Sequence, residues 1–398
     1  MSDVFDRIEK LNDGSMKFGT ERTRALLDRL GSPDDGLKII HIAGTNGKGS
    51  IAEYITQILI AAGKKTGTFT SPAVLNYFEQ FRINGNQIDK TTMSEYFEEV
   101  YAFADGCTAF EVQTAGALYA FYKEGCEYAV VECGLGGLLD STNAINKKEL
   151  AVISSIGLEH TAFLGDTIQK ICAHKAGIIN NCPALVNALQ PEEARKYFTN
   201  LNVLFADKSL QILESNFCGQ RFLYDGKEYK IQMAGFAQVY NAATAIEAAK
   251  VLGIDNNSIQ VGISQAKLAG RLQYFNAKGN TYIVDGGHNP AGFAPLAEVL
   301  KKYNGKEVTV IFGCLSDKDI DKNLQTIQGL AARIIAVKPQ SARAMDIEKI
   351  TAACRKYFNS VTEESNVGCA LEKSCGIVVV CGSFTLVKEA VNWIEKRL

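Results

Sequence analysis

An excess of charge of either sign is missing from this sequence: Lys and Arg total 42 against 44 Asp and Glu, a formal net charge of -2. That balance leaves no basic footprint, which argues against a nucleic-acid backbone as the main partner, while local basic pockets for small anions stay open. An uninterrupted apolar stretch long enough to span a bilayer is also missing. The start, Met1-Ser2-Asp3-Val4-Phe5-Asp6, has no positive region ahead of an apolar run. The expectation is a cytoplasmic protein with no membrane partner. Close Cys-x-x-Cys pairs are absent as well. The 11 cysteines are scattered and odd in number, which argues against a disulfide framework and a zinc site and for small buried apolar residues. No internal repeat or low-complexity tract breaks the chain.

What is present suits a globular chain of 398 residues, 46% hydrophobic and 22% charged, long enough for two domains. Its organising stretch is Ile39-Ile40-His41-Ile42-Ala43-Gly44-Thr45-Asn46-Gly47-Lys48-Gly49-Ser50. The β-prone run Leu37 to Ile42 breaks into glycines, a lysine and a hydroxyl, then into the periodic apolar residues Ile51, Tyr54, Ile55, Ile58 and Leu59. This reads as strand, phosphate loop and helix. Glycines permit a tight turn whose backbone N–H groups face an anion, and the helix N-terminus adds its positive dipole end. Lys48 would reach the outer phosphates and Ser50 would offer a hydroxyl to magnesium. The general P-loop spacing is not met, because two residues separate Gly44 from Gly47 and Gly49 intervenes before Ser50.

A leading helix is expected over Thr20 to Leu30, and a short strand over Thr66 to Thr70 that ends at Ser71-Pro72. A hydroxyl there sits where open α/β sheets place their ligands. A loop over Ala73 to Gly85 leads to Phe81-Arg82-Ile83, followed by helices over Thr92 to Phe103 and Glu111 to Phe121. Strands over Tyr128 to Val131 and Ala151 to Ile156 run into Glu132 and Gly157. The alternation implies a parallel, doubly wound sheet. Two strands joined by Asp225-Gly226 imply an antiparallel hairpin appended to the first domain. A helix over Tyr240 to Leu252 precedes a junction near Leu268 to Arg271. Strands at Tyr282, Val308, Ile334 and Ile377 then form a smaller α/β domain. The division expected is residues 1–268 and 269–398.

Glu132 opens Glu-Cys-Gly-Leu-Gly-Gly-Leu-Leu-Asp-Ser-Thr-Asn, ending at Asn143; a carboxylate after a buried strand, followed by glycines, suits a magnesium ligand beside an anion site. Further on come Gly157-Leu158-Glu159-His160-Thr161, Leu164-Gly165-Asp166 and Lys175-Ala176-Gly177-Ile178. Together with Gly44 to Ser50, these motifs resemble the Mur ligase superfamily, and within it the folylpolyglutamate synthase and dihydrofolate synthase branch, with Glu159 standing for the usual Asp. The resemblance implies an N-terminal Mur ligase-like P-loop domain and a C-terminal Rossmann-like glutamate-ligase domain. It implies that Glu132, His160 and Ser71 hold magnesium and that Lys175 becomes a carbamate with carbon dioxide. Gln238 and Asn241 match the family's nucleotide-binding Gln-x-x-Asn. Gly270-Arg271 matches the junction, and Asp285-Gly286-Gly287-His288-Asn289-Pro290 resembles the segment whose Asp and His approach the nucleotide. Phe312 to Asp319, Arg343-Ala344 and Gly382-Ser383-Phe384 extend the similarity.

The activity so implied is ATP- and magnesium-dependent joining of L-glutamate to a folate or dihydropteroate carboxylate by a monomer. The acceptor carboxylate takes the γ-phosphoryl group, and the glutamate amine displaces phosphate from the acyl phosphate. Lys48, Ser50 and magnesium would offset the charge. Closure of the two domains would bring in Arg271, Asp285 and His288 and exclude water. Ala73, Gln80 and Leu138 stand where the family has cationic or imidazole side chains, which bears on the acceptor more than on the chemistry. Two other readings therefore stay open: a Mur-type ligase with a non-folate acceptor, and a nucleotide-binding protein that has lost catalysis.

Overall fold

The computed structural model describes residues 3–12, 17–277, 279–303 and 308–397. The chain divides into two compact units. One takes in Met1–Leu210, Leu223–Tyr229 and Tyr240–Ala266, and the other Gln211–Phe222, Lys230–Val239 and Lys267–Leu398.

The first unit is built on β1 (Lys38–Ala43), β2 (Thr66–Phe69), β3 (Phe81–Ile83), β4 (Asn86–Gln87), β5 (Tyr128–Glu132), β6 (Leu150–Ile153), β7 (Ala184–Asn187) and β8 (Leu204–Ala206). Their order is β4-β3-β2-β5-β1-β6-β7-β8. The six strands from β2 across to β8 run parallel, and β3 and β4 close one edge antiparallel. Central β1 is buried at every residue but Lys38, as a parallel strand covered on both faces must be. Register then sets the site. Ile42 pairs with Glu132, Ala43 with Ile153 and Phe69 with Val131, so the loops after β1, β2, β5 and β6 leave the sheet at one level.

The helix Lys48–Ala61 buries Ile51, Tyr54, Ile55, Ile58 and Leu59, each isoleucine or leucine contributing roughly 1.5–3 kcal/mol. Against it lies the helix Asn256–Gln265, which the sequence did not announce because its first turn is polar; its apolar stripe is only Ile259 and Ile263, and Asp255 caps it. Gly262 permits the close approach, since a Cβ there would come 2.3 Å from Ile58 Cα. The helices at Glu21–Arg29, Lys90–Tyr101 and Ala109–Lys123 fall within two residues of expectation. The segment expected as a loop holds a one-turn helix, Tyr77–Gln80, closed by an Asn76/Glu79 capping box.

β9 (Leu210–Asn216), β10 (Gly219–Tyr224) and β11 (Lys227–Ile231) form a three-stranded sheet in the order β11-β10-β9. Two-residue connections make neighbours antiparallel. The expected hairpin is present, but it is not simply an appendage of the first domain. Residues 211–222 and 230–239 are compact with the second unit, where Phe217 stacks on Tyr303 at 4.4 Å and Gln220 Nε2 donates to the carbonyls of Met233 and Gly235. The second unit also holds β12 (Gln273–Ala277), β13 (Asn280–Val284), β14 (Val308–Phe312), β15 (Arg333–Val337), β16 (Val361–Glu364) and β17 (Ile377–Cys381). Their order is β12-β13-β17-β14-β15-β16, with all but β12 parallel. Of the eleven cysteines, seven are buried and none forms a disulfide. Among the described residues no helix is long and apolar enough to cross a membrane.

Candidate active site

The loop after β1 is stitched to the loop after β6. The N–H groups of Thr45 and Asn46 donate to Ser155 O at 2.9 and 3.1 Å, and Thr45 Oγ1 donates to Gly157 O and accepts from Gly157 N. Gly44 and Gly47 have φ of 144° and 94°. At each, a side chain is excluded by a neighbour: a Cβ on Gly44 would fall 1.9 Å from Ser154 Oγ, and one on Gly47 2.6 Å from Asn241 Oδ1. Gly47 opens the helix Lys48–Ala61 with no side-chain cap, so its leading N–H groups have no side chain of the helix start bonded to them. Such an N-terminus suits an anion. Gly49 and the buried Ser50 lie in its first turn.

Two lysines converge on one carbonyl. Lys48 Nζ donates to Gly44 O at 3.2 Å and Thr45 O at 3.4 Å, and Lys175 Nζ donates to the same Gly44 O at 2.6 Å. Lys48 also stands 3.9 Å from the buried Glu132, whose Oε2 accepts Ser71 N at 3.4 Å. Lys175 is 2% exposed, and burial, with Lys48 beside it, lowers its pKa to about 7. A good part of the Lys175 population is therefore neutral amine near pH 7.

His160 begins the short helix Thr161–Leu164 at φ 50°, half exposed, with Nε2 3.9 Å from Glu159 Oε1. Among the described residues no three His, Cys, Asp or Glu side chains gather as a metal cage. The donors that the sequence singles out are the Glu132 carboxylate, the Ser50 and Ser71 hydroxyls and the His160 imidazole. That set suits magnesium, which takes one or two carboxylates and fills its remaining positions with water and phosphate oxygens. Asn241 is held by Asn187, whose Nδ2 donates to Asn241 Oδ1 at 3.2 Å; Gln238 lies one turn earlier on the helix Phe236–Val251, in the segment grouped with the second unit.

Within the second unit, the loop after β13 is held by side-chain hydrogen bonds. Buried Asp285 accepts from the N–H groups of Leu272 and Gly287, both at 2.8 Å; burial raises its pKa, and Arg271 works against that rise. Arg271 lies over the Phe384 ring at 5.0 Å, and Gly286 is required there because a Cβ would come 2.1 Å from the same ring. His288 Nδ1 is 3.0 Å from Gly286 O, so this nitrogen carries the proton.

Residues 42–249 match the Mur ligase middle domain and residues 270–384 the Mur ligase glutamate ligase domain. The dihydrofolate synthase/folylpolyglutamate synthase of Bacillus subtilis is 30% identical, over 97% of this chain and 97% of its own length. The chain belongs to the folylpolyglutamate synthase and dihydrofolate synthase family of Mur ligases. A probable bifunctional folylpolyglutamate synthase/dihydropteroate synthase of Haloferax volcanii is also 30% identical, over 94% of this chain, but the chain spans only 48% of its length. An Escherichia coli relative solved in complex with DHPP and ADP superposes with a TM-score of 0.87 at 27% identity, covering 99% of this chain and 97% of that one.

Residues the sequence reading missed are Asn187, Ser154 and Gln190, which brace Asn241, Gly44 and the loop after β6. Asn187 and Ser154 stand at the ends of β7 and β6, the position already used to pick out Glu132. Of the three departures, Leu138 is 46% exposed, Gln80 is buried with Nε2 donating to Tyr77 O, and Ala73 is half-buried.

Proposed function

We propose that the chain is an ATP-dependent ligase that adds L-glutamate to a folate-type carboxylate. The observation that supports this most is the pairing of Lys48 and buried Lys175 on Gly44 O, above an uncapped helix N-terminus and beside Glu132. The phosphates of ATP would lie along Gly44, Thr45, Asn46, Gly47, Lys48, Gly49 and Ser50, with Gln238, Asn241, Arg271, Asp285 and His288 completing the nucleotide contacts. Magnesium, held by Ser50, Ser71, Glu132 and His160, would neutralise phosphate charge when bound. In this reading residues 1–268 bind ATP, residues 269–398 serve glutamate, and the enzyme works as a cytoplasmic monomer on small molecules alone.

An oxygen of the acceptor carboxylate attacks the γ-phosphorus as the bond to ADP breaks. The glutamate nitrogen then attacks the acyl carbon, loses a proton, and phosphate leaves with the former carboxylate oxygen. Lys48 already turns toward the loop and would follow the charge onto the transferring group. The neutral amine of Lys175 would take up carbon dioxide at nitrogen and release a proton, leaving a carbamate anion where the amine was uncharged.

The test is phosphate release from ATP, magnesium and L-glutamate with dihydropteroate, monoglutamyl tetrahydrofolate or no acceptor, with the product mass measured. Stimulation by dihydropteroate identifies dihydrofolate synthesis, by the reduced folate chain extension, and by both a bifunctional enzyme. No stimulation by either removes the folate reading. A non-folate acceptor is the second reading, favoured by the exposed apolar Leu138.

A further inference from the structure

The loop after β5 and the helix Ile168–Ala176 are joined by side chains that have no part in the proposed chemistry. Leu138 N donates to His174 O at 2.7 Å. A Cβ on Gly137 would come 2.7 Å from His174 O and 3.1 Å from Lys175 Cα, so the loop backbone lies directly on the carbonyl end of that helix. Asn143 Nδ2 spans the joint, donating to Leu138 O and Gly177 O at 3.1 Å each. Asn143 Oδ1 accepts from Lys148 Nζ at 2.6 Å, and the same ammonium donates to Ile178 O at 3.0 Å.

Lys148 is 6% exposed, and burial lowers its pKa. Its two hydrogen bonds go to neutral oxygens, one an amide and one a backbone carbonyl. A buried ammonium held only by neutral acceptors costs more than a surface lysine would. The end of the helix where it sits carries the negative side of the dipole, which favours a cation there.

We propose that Lys148, acting through Asn143, is a positioning residue. It pins the carbonyl end of the helix Ile168–Ala176 to the loop leading from Glu132 and so sets Lys175 Nζ against Gly44 O. Lys175 is two residues from Gly177, whose carbonyl Asn143 holds, and a displacement of about 1 Å at a reacting centre is enough to cost a large part of a rate. The inference rests on the reading of Lys175 as a working part of the site.

Two substitutions test it in the full chain. Lys148→Met keeps the aliphatic stem and removes the donors; Asn143→Asp keeps the acceptor for Lys148 and removes both amide donors. Turnover with dihydropteroate or monoglutamyl tetrahydrofolate, KM for ATP and melting temperature are measured together. Each variant is expected to lose about tenfold or more in kcat while KM for ATP stays within about twofold. The double variant should be no slower than the slower single one, as for residues acting in one chain of contacts, and Lys148→Arg should restore most of the rate. Full kcat per folded molecule in Asn143→Asp, even with a lowered melting temperature, overturns the proposal, as do additive losses. If Lys148→Met does not fold, Asn143→Asp decides. Lys175→Ala run alongside separates the two claims: a dead Lys175→Ala beside a fully active Asn143→Asp removes only the strut, whereas an active Lys175→Ala removes the site reading and the strut with it.

Discussion

After β1 the chain turns at Gly44 and Gly47 and enters the helix Lys48–Ala61 with no side-chain cap, whereas after β13 the helix Pro290–Lys301 is capped by Asn289, whose Oδ1 accepts Gly292 N at 2.8 Å. Both are strand, glycine-rich loop and helix. In the first, the lysines Lys48 and Lys175 crowd one carbonyl and the residue before the helix, Gly47, has no side chain to cap it. In the second, Asp285 and Asn289 satisfy the local N–H groups and a proline stands at the first helical position, where no N–H is needed. The same local architecture thus starts its helix uncapped in one unit and side-chain capped in the other.

The comparison breaks most severely at Lys48 and Glu132. Lys48→Ala and Glu132→Ala should each lower turnover by about 10³-fold or more with the melting temperature preserved, and near-normal rates in either would remove that residue from the site. Next comes Gly47→Ala. At φ 94° an L side chain costs about 1–2 kcal/mol, and its Cβ would also meet Asn241 Oδ1, so ATP affinity by calorimetry should fall about tenfold or more. The matching change in the capped loop, Asn289→Ala, should instead lower unfolding free energy by about 1 kcal/mol and weaken ATP binding less than Gly47→Ala does. The reverse order would dissolve the contrast.

A different readout is the pH dependence of stability carried by Lys175. Its folded pKa of about 7 lies below the ordinary 10.5, so between these values the unfolded chain binds a proton that the folded chain does not. Stability therefore rises with pH across that window, and below about pH 7 the burial cost is fully present. The melting temperature of the wild type relative to Lys175→Met should climb between pH 7 and 10. A flat difference would mean that Lys175 is not desolvated.

Much of this was legible because the parallel strands are short apolar runs that end abruptly in glycine or a polar residue. Gly44, Ser71 and Glu132 could be placed at strand ends from sequence, and register brought those ends level. The helix Asn256–Gln265 was not legible, since its burial depends on Gly262 meeting Ile58 rather than on a strong apolar period. β9 was missed because its exposed residues carry no alternation, and β12 because Gln273 to Ala277 is half polar and pairs at a sheet edge. Asn187 and Lys148 act through contacts far along the chain, with Asn241 and Ile178; the strand end marks Asn187, and no local pattern marks Lys148. The convergence of two lysines on Gly44 O is likewise a product of the fold.

The measurement that bears most directly on the account is the fate of an oxygen atom. Acceptor whose carboxylate carries heavy oxygen is turned over with ATP and L-glutamate, and the released phosphate is analysed by mass. Attack by that carboxylate on the γ-phosphorus predicts one heavy oxygen in each phosphate, transferred in step with amide formation and lost in Lys48→Ala. Amide formed with unlabelled phosphate would contradict activation of the carboxylate by ATP.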